Sequence, residues 1–225
     1  MEEKKEAEKK RGFWKSIWFL VWKDDSFMGW ILSLILLFVL IKFIFFPVLG
    51  LVTGTTLPLA IVESCSMYHQ GNLFSDFSSW FTAHEQKYAQ FSINESSFSG
   101  FTMKNGFNKG DIIFITGVKP GDVKIGDIII YNSGTNPSPI IHRVVSIRMQ
   151  NGSYVFSTIG DNNWEQFSID QPSYVNPNRI DEINVSSSQV IGEARLKLVP
   201  YLGWVKLIFY DFGKPSSERG LCSQS

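Results

Sequence analysis

The sequence predicts a mainly β protein, built on an antiparallel β-sheet, with one N-terminal transmembrane helix. A strongly apolar block stands near the start of the chain, ahead of a long stretch of ordinary globular composition. That stretch contains short segments rich in isoleucine and valine, each bounded by glycine, proline or asparagine, which is typical of strands joined by turns. It contains no long amphipathic segment that would favour a helical domain.

The apolar block, FMGWILSLILLFVLIKFIFFPVL at residues 27–49, predicts a membrane anchor. With a rise of about 1.5 Å per residue, a helix of this length crosses a hydrocarbon core of about 30 Å. Lys42 is its only charged residue, and a lysine side chain is long enough to carry its ammonium toward an interface. A secretory signal would be shorter and would end in a small-x-small cleavage site, which does not directly follow Leu49. We therefore expect an uncleaved anchor over residues 26–50.

The distribution of basic residues predicts the orientation of that anchor. Several lysines and an arginine precede it, whereas after Lys42 the next basic residue is Lys87. Positively charged flanks stay on the cytoplasmic side of a membrane. We therefore expect residues 1–25 to form a cytoplasmic segment and the chain after the anchor to lie outside. The basic residues before the anchor are Lys4, Lys5, Lys9, Lys10, Arg11, Lys15 and Lys23.

Six segments predict the strands of a β-rich domain over residues 55–199. The Asn-Gly dipeptide at 151–152 favours a two-residue hairpin turn between two of them, and KPGDVKIGD at 119–127 is turn sequence between another pair. The predicted strands are 57–64, 111–118, 127–131, 140–147, 153–159 and 190–199.

Two segments depart from the strand pattern. Residues 70–107 are rich in serine, phenylalanine and asparagine and predict an insertion or lid, with a helix near Trp80–Gln90. We expect His69 and His84, at this insertion, to be surface residues. Residues 200–225 predict a membrane-proximal segment and tail, because PYLGWVKLIFYDF is too short to span a bilayer upright but suits its surface.

Composition excludes several functional classes. The formal net charge is zero and no arginine-rich stripe is present, so we expect no nucleic-acid partner. Cys65 and Cys222 are the only cysteines, which rules out a disulfide framework or a cysteine-rich zinc site. These two could pair, but nothing in the sequence brings them together. A zinc site that uses His69 and His84 has no supporting ligand spacing, and we expect no metal or cofactor.

Three short stretches carry residues suited to nucleophilic catalysis: ESCSM (63–67), IIHRVV (140–145) and TIGDNN (158–163). Each places a serine, a histidine or an aspartate at or near the end of a predicted strand. An imidazole can remove the proton of a serine hydroxyl, while a carboxylate orients the ring and stabilises the imidazolium. Histidine suits the role of base because its ordinary pKa is about 6.5. Each stretch alone is also compatible with a plain strand or turn.

In their order, these stretches resemble signal peptidase I of the archaeal type, which is similar to the catalytic subunit of the endoplasmic reticulum signal peptidase complex. ESCSM resembles the family's Ser-x-Ser-Met segment, which directly follows the anchor, and GDNN (160–163) resembles its acidic motif. GFNKGDIIFI (106–115) and VKIGDIIIY (123–131) resemble its two Gly-Asp strand starts. IIHRVV resembles the segment where this branch carries histidine and the bacterial branch lysine. The resemblance covers roughly residues 27–67 and 106–205.

This resemblance implies a role for individual residues. Ser66 would be the nucleophile, His142 the general base and Asp161 the carboxylate that orients His142. The oxyanion hole would use the backbone N–H of Ser66 and the hydroxyl of Ser64. A second family carboxylate has no clean counterpart, and Asp170 is the nearest candidate, followed by Asp181.

The chain departs from the family pattern around the nucleophile. The family usually follows Ser-Met with a proline and a short turn, whereas here Tyr68, His69 and Gln70 lead into the insertion. Cys65 stands where the family often has glycine. Cys65 could itself be proposed as the nucleophile, but the register of the motif favours Ser66.

The implied function is a membrane-bound serine endopeptidase that removes signal peptides from exported preproteins, without a cofactor. We expect it in the archaeal plasma membrane in preference to the endoplasmic reticulum, with the lipid bilayer, signal peptides and the secretion translocon as partners. The substrate would lie extended along a strand edge, with its small residues in pockets lined by Ile61, Val62 and Ile130. Two alternatives stay open: a specialised peptidase for surface or pilin-like precursors, and a catalytically inactive membrane-anchored binding protein.

Overall fold

The computed structural model describes residues 26–71, 76–133, 138–215 and 219–222, together with the separate positions Gly12, Lys15 and Trp18. Apart from those three positions, the predicted cytoplasmic segment 1–25 lies outside the described residues. The chain forms two compact units, Met1–Val52 and Thr53–Ser225.

One long apolar helix runs from Phe27 to Thr53, where the sequence predicts the anchor. It consists of α1 (Phe27–Leu40), a π-helical turn (Ile41–Phe45) and α2 (Phe46–Thr53). The Ser26 hydroxyl begins it by accepting a hydrogen bond from the Gly29 N–H at 3.0 Å. Within the described residues it is the one helix long and apolar enough to cross a membrane. The ammonium of Lys42 lies 5.6 Å from the ring centre of Phe38, so its charge has an aromatic neighbour.

In the described part of the second unit, one antiparallel sheet contains seven strands, which confirms the predicted fold class. All six predicted segments contain a strand, and the sequence missed only the two-residue β6. The order across the sheet is β1-β2-β7-β3-β4-β5-β6, so β1 is a terminal strand. The strands are β1 (Leu59–Ile61), β2 (Ile112–Thr116), β3 (Ile128–Tyr131), β4 (Ile140–Gln150), β5 (Ser153–Ile159), β6 (Val185–Ser186) and β7 (Val190–Val199).

The turn between β4 and β5 has the predicted hairpin conformation. Asn151 and Gly152 both have a positive φ, 50° and 76°. Such values at both central positions match the right-handed twist of the flanking strands, and Asn-Gly adopts them at low cost. The turn thereby sets the register of the β4–β5 pairs from Gln150–Ser153 to Ser146–Ser157, and an irregularity at Val145 shifts the register by one residue before the pairs next to the candidate site.

The insertion packs on the sheet with an aromatic core of its own. It contains α3 (Phe77–Ala89) and α4 (Glu95–Ser99). Their buried side chains join Val145 and Ile159 from the sheet in one hydrophobic cluster, which we call the insertion cluster. Its insertion members are Trp80, Phe81, Tyr88, Ile93 and Phe98.

The expectation that His69 and His84 are surface residues is wrong. Their exposed fractions are 1% and 2%. The ring of His69 stacks on Trp80 with 3.5 Å between the ring centres, and Nδ1 of His84 is hydrogen-bonded to the Trp80 carbonyl at 2.8 Å. Both imidazoles are therefore buried with a polar partner: His84 has the Trp80 carbonyl of the insertion, and His69 has the carboxylate of Asp161 at 2.9 Å, in the loop that follows β5.

The last helix among the described residues is short, α5 (Trp204–Asp211), and it is bonded to the start of β2. The indole N–H of Trp204 donates to the Lys109 carbonyl at 2.9 Å, and the buried Lys109 ammonium pairs with Asp211 at 2.5 Å. Several apolar side chains of this segment stay exposed, including Val205, Phe209 and Phe212.

Candidate active site

Ser66 lies in the loop that follows β1, and its backbone is held from the far end of β5. Its carbonyl accepts a hydrogen bond from the Asn162 N–H at 2.8 Å. The carbonyl of the next residue, Met67, accepts from the Phe107 N–H at 2.8 Å. The half-buried Ser66 hydroxyl lies 3.1 Å from the hydroxyl of Ser64. The serine is thus presented from a loop with a fixed backbone.

A disulfide bond joins Cys65, immediately before Ser66, to Cys222. It settles the pairing that the sequence left open and makes the Cys65 sulfur unavailable as a nucleophile. Glu63 adds two further links to the C-terminal segment: its carboxylate pairs with Lys206 at 2.9 Å, and its carbonyl accepts from the Lys214 ammonium at 3.0 Å. Lys206, Lys214 and Cys222 of the C-terminal segment are therefore held next to residues 63–65, beside the candidate nucleophile.

His142 lies on β4, paired with Ile129 of β3, and is 6% exposed. Its Nδ1 atom is hydrogen-bonded to Oε1 of Glu182. Glu182 is fully buried, and its second carboxylate oxygen accepts from the Phe167 N–H at 2.6 Å. The backbone N–H of Thr158 also donates to the Glu182 carbonyl at 2.8 Å. A carboxylate fixed in this way selects one orientation and one tautomer of the imidazole, leaving Nε2 for proton transfer.

Asp161 makes different contacts from those the family resemblance implied. Its fully buried carboxylate accepts hydrogen bonds from Arg143 (Nη2 at 2.6 Å), from Tyr88 (2.9 Å) and from Nε2 of His69 (2.9 Å). Burial alone would raise the pKa of Asp161, but the Arg143 guanidinium and the His69 hydrogen bond hold it well below its usual range. Asp161 is therefore an ionised centre of a structural network, and Glu182 is the carboxylate hydrogen-bonded to His142.

Strand alternation explains why Asp161 belongs to this network. Arg143 on β4 is directly opposite Ile159 on β5, so their side chains share one face of the sheet. Asp161 follows two residues after Ile159, which brings it to the same face as Arg143. His142, one residue before Arg143, points to the opposite face.

The opposite face carries Glu182 and the backbone of Ser66. Thr158, which pairs with Val144 on the His142 face, binds the Glu182 backbone. Continuing the register places Gly160 opposite His142, and a Cβ atom at Gly160 would come within 2.7 Å of the Ser66 carbonyl. The absence of a side chain at Gly160 thus lets the Ser66 loop approach the face of the sheet that holds His142 and Glu182.

Asp170 and Asp181 are the two candidates for the second family carboxylate. Asp170 is exposed, and the carboxylate of Asp181 accepts from the backbone N–H groups of Ile183 and Asn184 in a turn. Neither has a hydrogen bond to His142 among the contacts of the described residues. The sequence did not predict a role for Glu182, because this residue lies well beyond the GDNN motif. Its one sequence signal was its position next to Asp181, a candidate for the second family carboxylate.

The residues predicted to line the substrate pockets are on and near the terminal strand. Ile61 is half-buried on β1. Val62 and Ile130 are buried, and both pack in the hydrophobic cluster that contains Met67. They therefore support the loop of Ser66 from within the domain.

Comparison with curated proteins identifies relatives among the catalytic subunits of signal peptidase complexes. The human and mouse proteins named signal peptidase complex catalytic subunit SEC11C are each 29% identical to the chain over 114 residues, 50% of this chain and 55% of the relative. The SEC11 subunit of Eremothecium gossypii is 40% identical over 63 residues, 28% of this chain and 37% of the relative. The chain thus spans about half the length of the mammalian relatives it matches. No protein-family model matches the chain. These relatives confirm the resemblance to signal peptidase catalytic subunits.

Proposed function

We propose that this chain, a homologue of the catalytic subunits of signal peptidase complexes, is a membrane-anchored serine endopeptidase that removes signal peptides from exported preproteins. The observation that carries the proposal is the buried His142–Glu182 pair on the face of the sheet that the Ser66 loop approaches. A serine, an imidazole and a carboxylate on one face are the groups that acyl transfer through a serine nucleophile needs.

In the proposed reaction, the Ser66 hydroxyl attacks the scissile carbonyl while Nε2 of His142 takes its proton. Glu182 stabilises the imidazolium through Nδ1, and the imidazolium then protonates the departing amine. Water attacks the resulting acyl-enzyme with His142 again acting as base, which frees the hydroxyl of Ser66. The backbone N–H of Ser66 and the hydroxyl of Ser64 are the proposed oxyanion donors, each contributing about 2.7–4 kcal/mol.

The substrate is proposed to pair with β1. This strand ends the sheet and leads directly to the Ser66 loop, so a signal peptide in extended conformation can add to it through backbone hydrogen bonds. Small residues before the cleaved bond would fit beside Ile61, Val62 and Ile130. Of the three, Ile61 is half-buried and can contact the substrate, whereas Val62 and Ile130 are buried and would limit the depth of the pockets from within the domain, which favours small side chains.

The proposed location is the archaeal plasma membrane, with the N-terminus cytoplasmic and the catalytic domain outside. Among the described residues, the helix at 27–53 is long and apolar enough to cross a membrane, and the Cys65–Cys222 disulfide supports an oxidising, extracytoplasmic compartment. The exposed apolar residues of α5 suit contact with the bilayer surface. The secretion translocon is a further proposed partner.

The test compares cleavage of a preprotein with an Ala-x-Ala site by the purified full-length chain and its variants. Ser66→Ala and His142→Ala should each lower kcat by about 10⁴-fold or more. Ser99→Ala, at an exposed position in α4, is the matched control and should cleave at the wild-type rate. A Ser66→Ala protein that still cleaves normally, or a wild-type protein that binds preprotein without cleaving it, would refute the proposal.

A further inference from the structure

Lys87 of the insertion reaches from α3 into the loop that follows β5. Its side chain is buried, with 5% of the residue exposed. The ammonium donates to the carbonyl of Asp161 at 2.5 Å, to that of Asn163 at 3.0 Å and to that of Gly160 at 3.4 Å. An ammonium has three N–H donors, and here all three are directed at carbonyls of one loop, residues 160–163.

The same loop holds the backbone of Ser66. Asn162, in its middle, donates its N–H to the Ser66 carbonyl at 2.8 Å. Gly160 lies close enough to that carbonyl to leave no room for a side chain. Any displacement of residues 160–163 must therefore move the Ser66 carbonyl or break its hydrogen bond.

The helix α3, which carries Lys87, is held by buried contacts. Lys87 precedes Tyr88, a fully buried member of the insertion cluster, and the Lys87 ammonium lies 4.7 Å from the Tyr88 ring centre. The insertion cluster packs directly on Val145 and Ile159 of the sheet. A lysine on a helix that packs in this way can hold the loop of residues 160–163 in one position.

We propose that Lys87 is a positioning residue for Ser66: by tying together the carbonyls of the 160–163 loop, it sets the place from which Asn162 binds the nucleophile's backbone. The proposal gives the insertion a role in catalysis, and it rests on the proposed function of Ser66 as the nucleophile. Three carbonyl oxygens that converge in a buried space repel one another unless a donor lies between them, so the cation is what makes this loop conformation stable.

The charge state of Lys87 makes the inference testable by pH. Burial lowers the pKa of Lys87 to about 8, and the nearby Asp161 carboxylate offsets part of that effect. The neutral amine has one donor fewer, so one carbonyl loses its partner above this pH. Of the other groups around Lys87, His69 and His84 have a lowered pKa, while Tyr88 and Arg143 have a raised one. The remaining neighbours are the carboxylates of Asp161 and Glu182.

The kinetic test measures kcat and KM of the full chain as a function of pH. In the wild type, kcat should fall as the pH rises through about 8. In Lys87→Met, kcat should be about 10- to 100-fold lower at neutral pH, with KM little changed and with that alkaline fall absent. Lys104→Met is the matched control in the same insertion, where the ammonium lies over the Phe77 ring, and it should keep the wild-type profile. A Lys87→Met enzyme with the wild-type kcat and the same alkaline fall would overturn the inference.

Hydrogen exchange tests the inference without reference to catalysis. The amide of Asn162 should exchange faster, after correction for intrinsic rates, in Lys87→Met than in Lys104→Met, and faster in the wild type above the pKa of Lys87 than below it. The wild-type comparison stands even if the variant does not fold. Equal protection of Asn162 under all these conditions would overturn the positioning role, whereas altered protection in an enzyme that does not depend on Ser66 would refute the proposed function instead.

Discussion

The imidazole of His142 shares its Nδ1 hydrogen bond with the carboxylate of Glu182, and both side chains are buried. A glutamine at Glu182 would keep the shape but could equally hold the wrong tautomer, and it could not stabilise the imidazolium. We expect Glu182→Gln to lower kcat by roughly 10²–10⁴-fold with little change in KM, measured with the same preprotein substrate.

Asp170→Asn is the control for this prediction. Asp170 is exposed, and removing its charge should leave cleavage near the wild-type rate. If Asp170→Asn loses activity while Glu182→Gln keeps it, then the carboxylate that the sequence suggested is the functional one, and Glu182 does not assist His142 in catalysis.

Asp161 should matter first for stability, because it is the one carboxylate facing Arg143, His69 and Tyr88 in a buried network. Asp161→Ala leaves the Arg143 guanidinium buried without its counter-ion, which typically costs about 3–5 kcal/mol. Tyr88→Phe removes one hydrogen bond to the carboxylate and should cost about 1.5–3 kcal/mol. Denaturant unfolding of the full chain in detergent would measure both. A smaller loss in Asp161→Ala than in Tyr88→Phe would contradict this account of the network.

The sheet was predictable from the sequence because its strands carry strong local signals. The segments at 111–118 and 153–159 are rich in β-branched residues between turn residues, and Asn151-Gly152 sets the β4–β5 hairpin and the register of the pairs nearest the turn. Ser66 and His142 were singled out through motifs that lie on or next to these strands, and their catalytic roles stay predictions.

The partner of His142 depends on long-range packing, and the sequence could not reveal it. GDNN looks like the acidic motif of the family. However, because side chains alternate between the two faces along β5, Asp161 lies on the face of Arg143 and not on that of His142. Glu182 reaches His142 from a loop whose path is fixed by backbone bonds to Thr158 and Phe167. The packing of the insertion could not be predicted for a similar reason, because its aromatic residues form a core only together with residues of the sheet.

The disulfide between Cys65 and Cys222 joins residues 157 positions apart and should contribute substantially to stability. Closing so long a loop restricts the unfolded chain, and the loss of such a bond typically costs about 2–5 kcal/mol. The double variant Cys65→Ser, Cys222→Ser should therefore unfold at lower denaturant concentration than the wild type. Dithiothreitol should destabilise the wild type by a similar amount and leave the double variant unchanged. A wild type that is insensitive to reductant would contradict the prediction.

Acidification should destabilise the protein in two steps that involve His69 and Asp161. Burial lowers the pKa of His69, although its hydrogen bond to Asp161 offsets part of the effect, so below about pH 6.5 the unfolded chain binds more protons than the folded one. Through His69, the free energy of unfolding should then fall as the pH drops, by up to about 1.4 kcal/mol per pH unit. Glu193 opposes this fall, because burial raises its pKa to about 7 and the folded chain therefore binds its proton first. Below about pH 4 a second loss should follow, since the pKa of Asp161 is held well below its value in an unfolded chain. In His69→Gln the first decline should be smaller than in the wild type, and what remains is set by His84, whose pKa burial also lowers, against the opposing Glu193. Unfolding curves that show the same decline between neutral pH and pH 5 in both proteins would exclude His69 as its source.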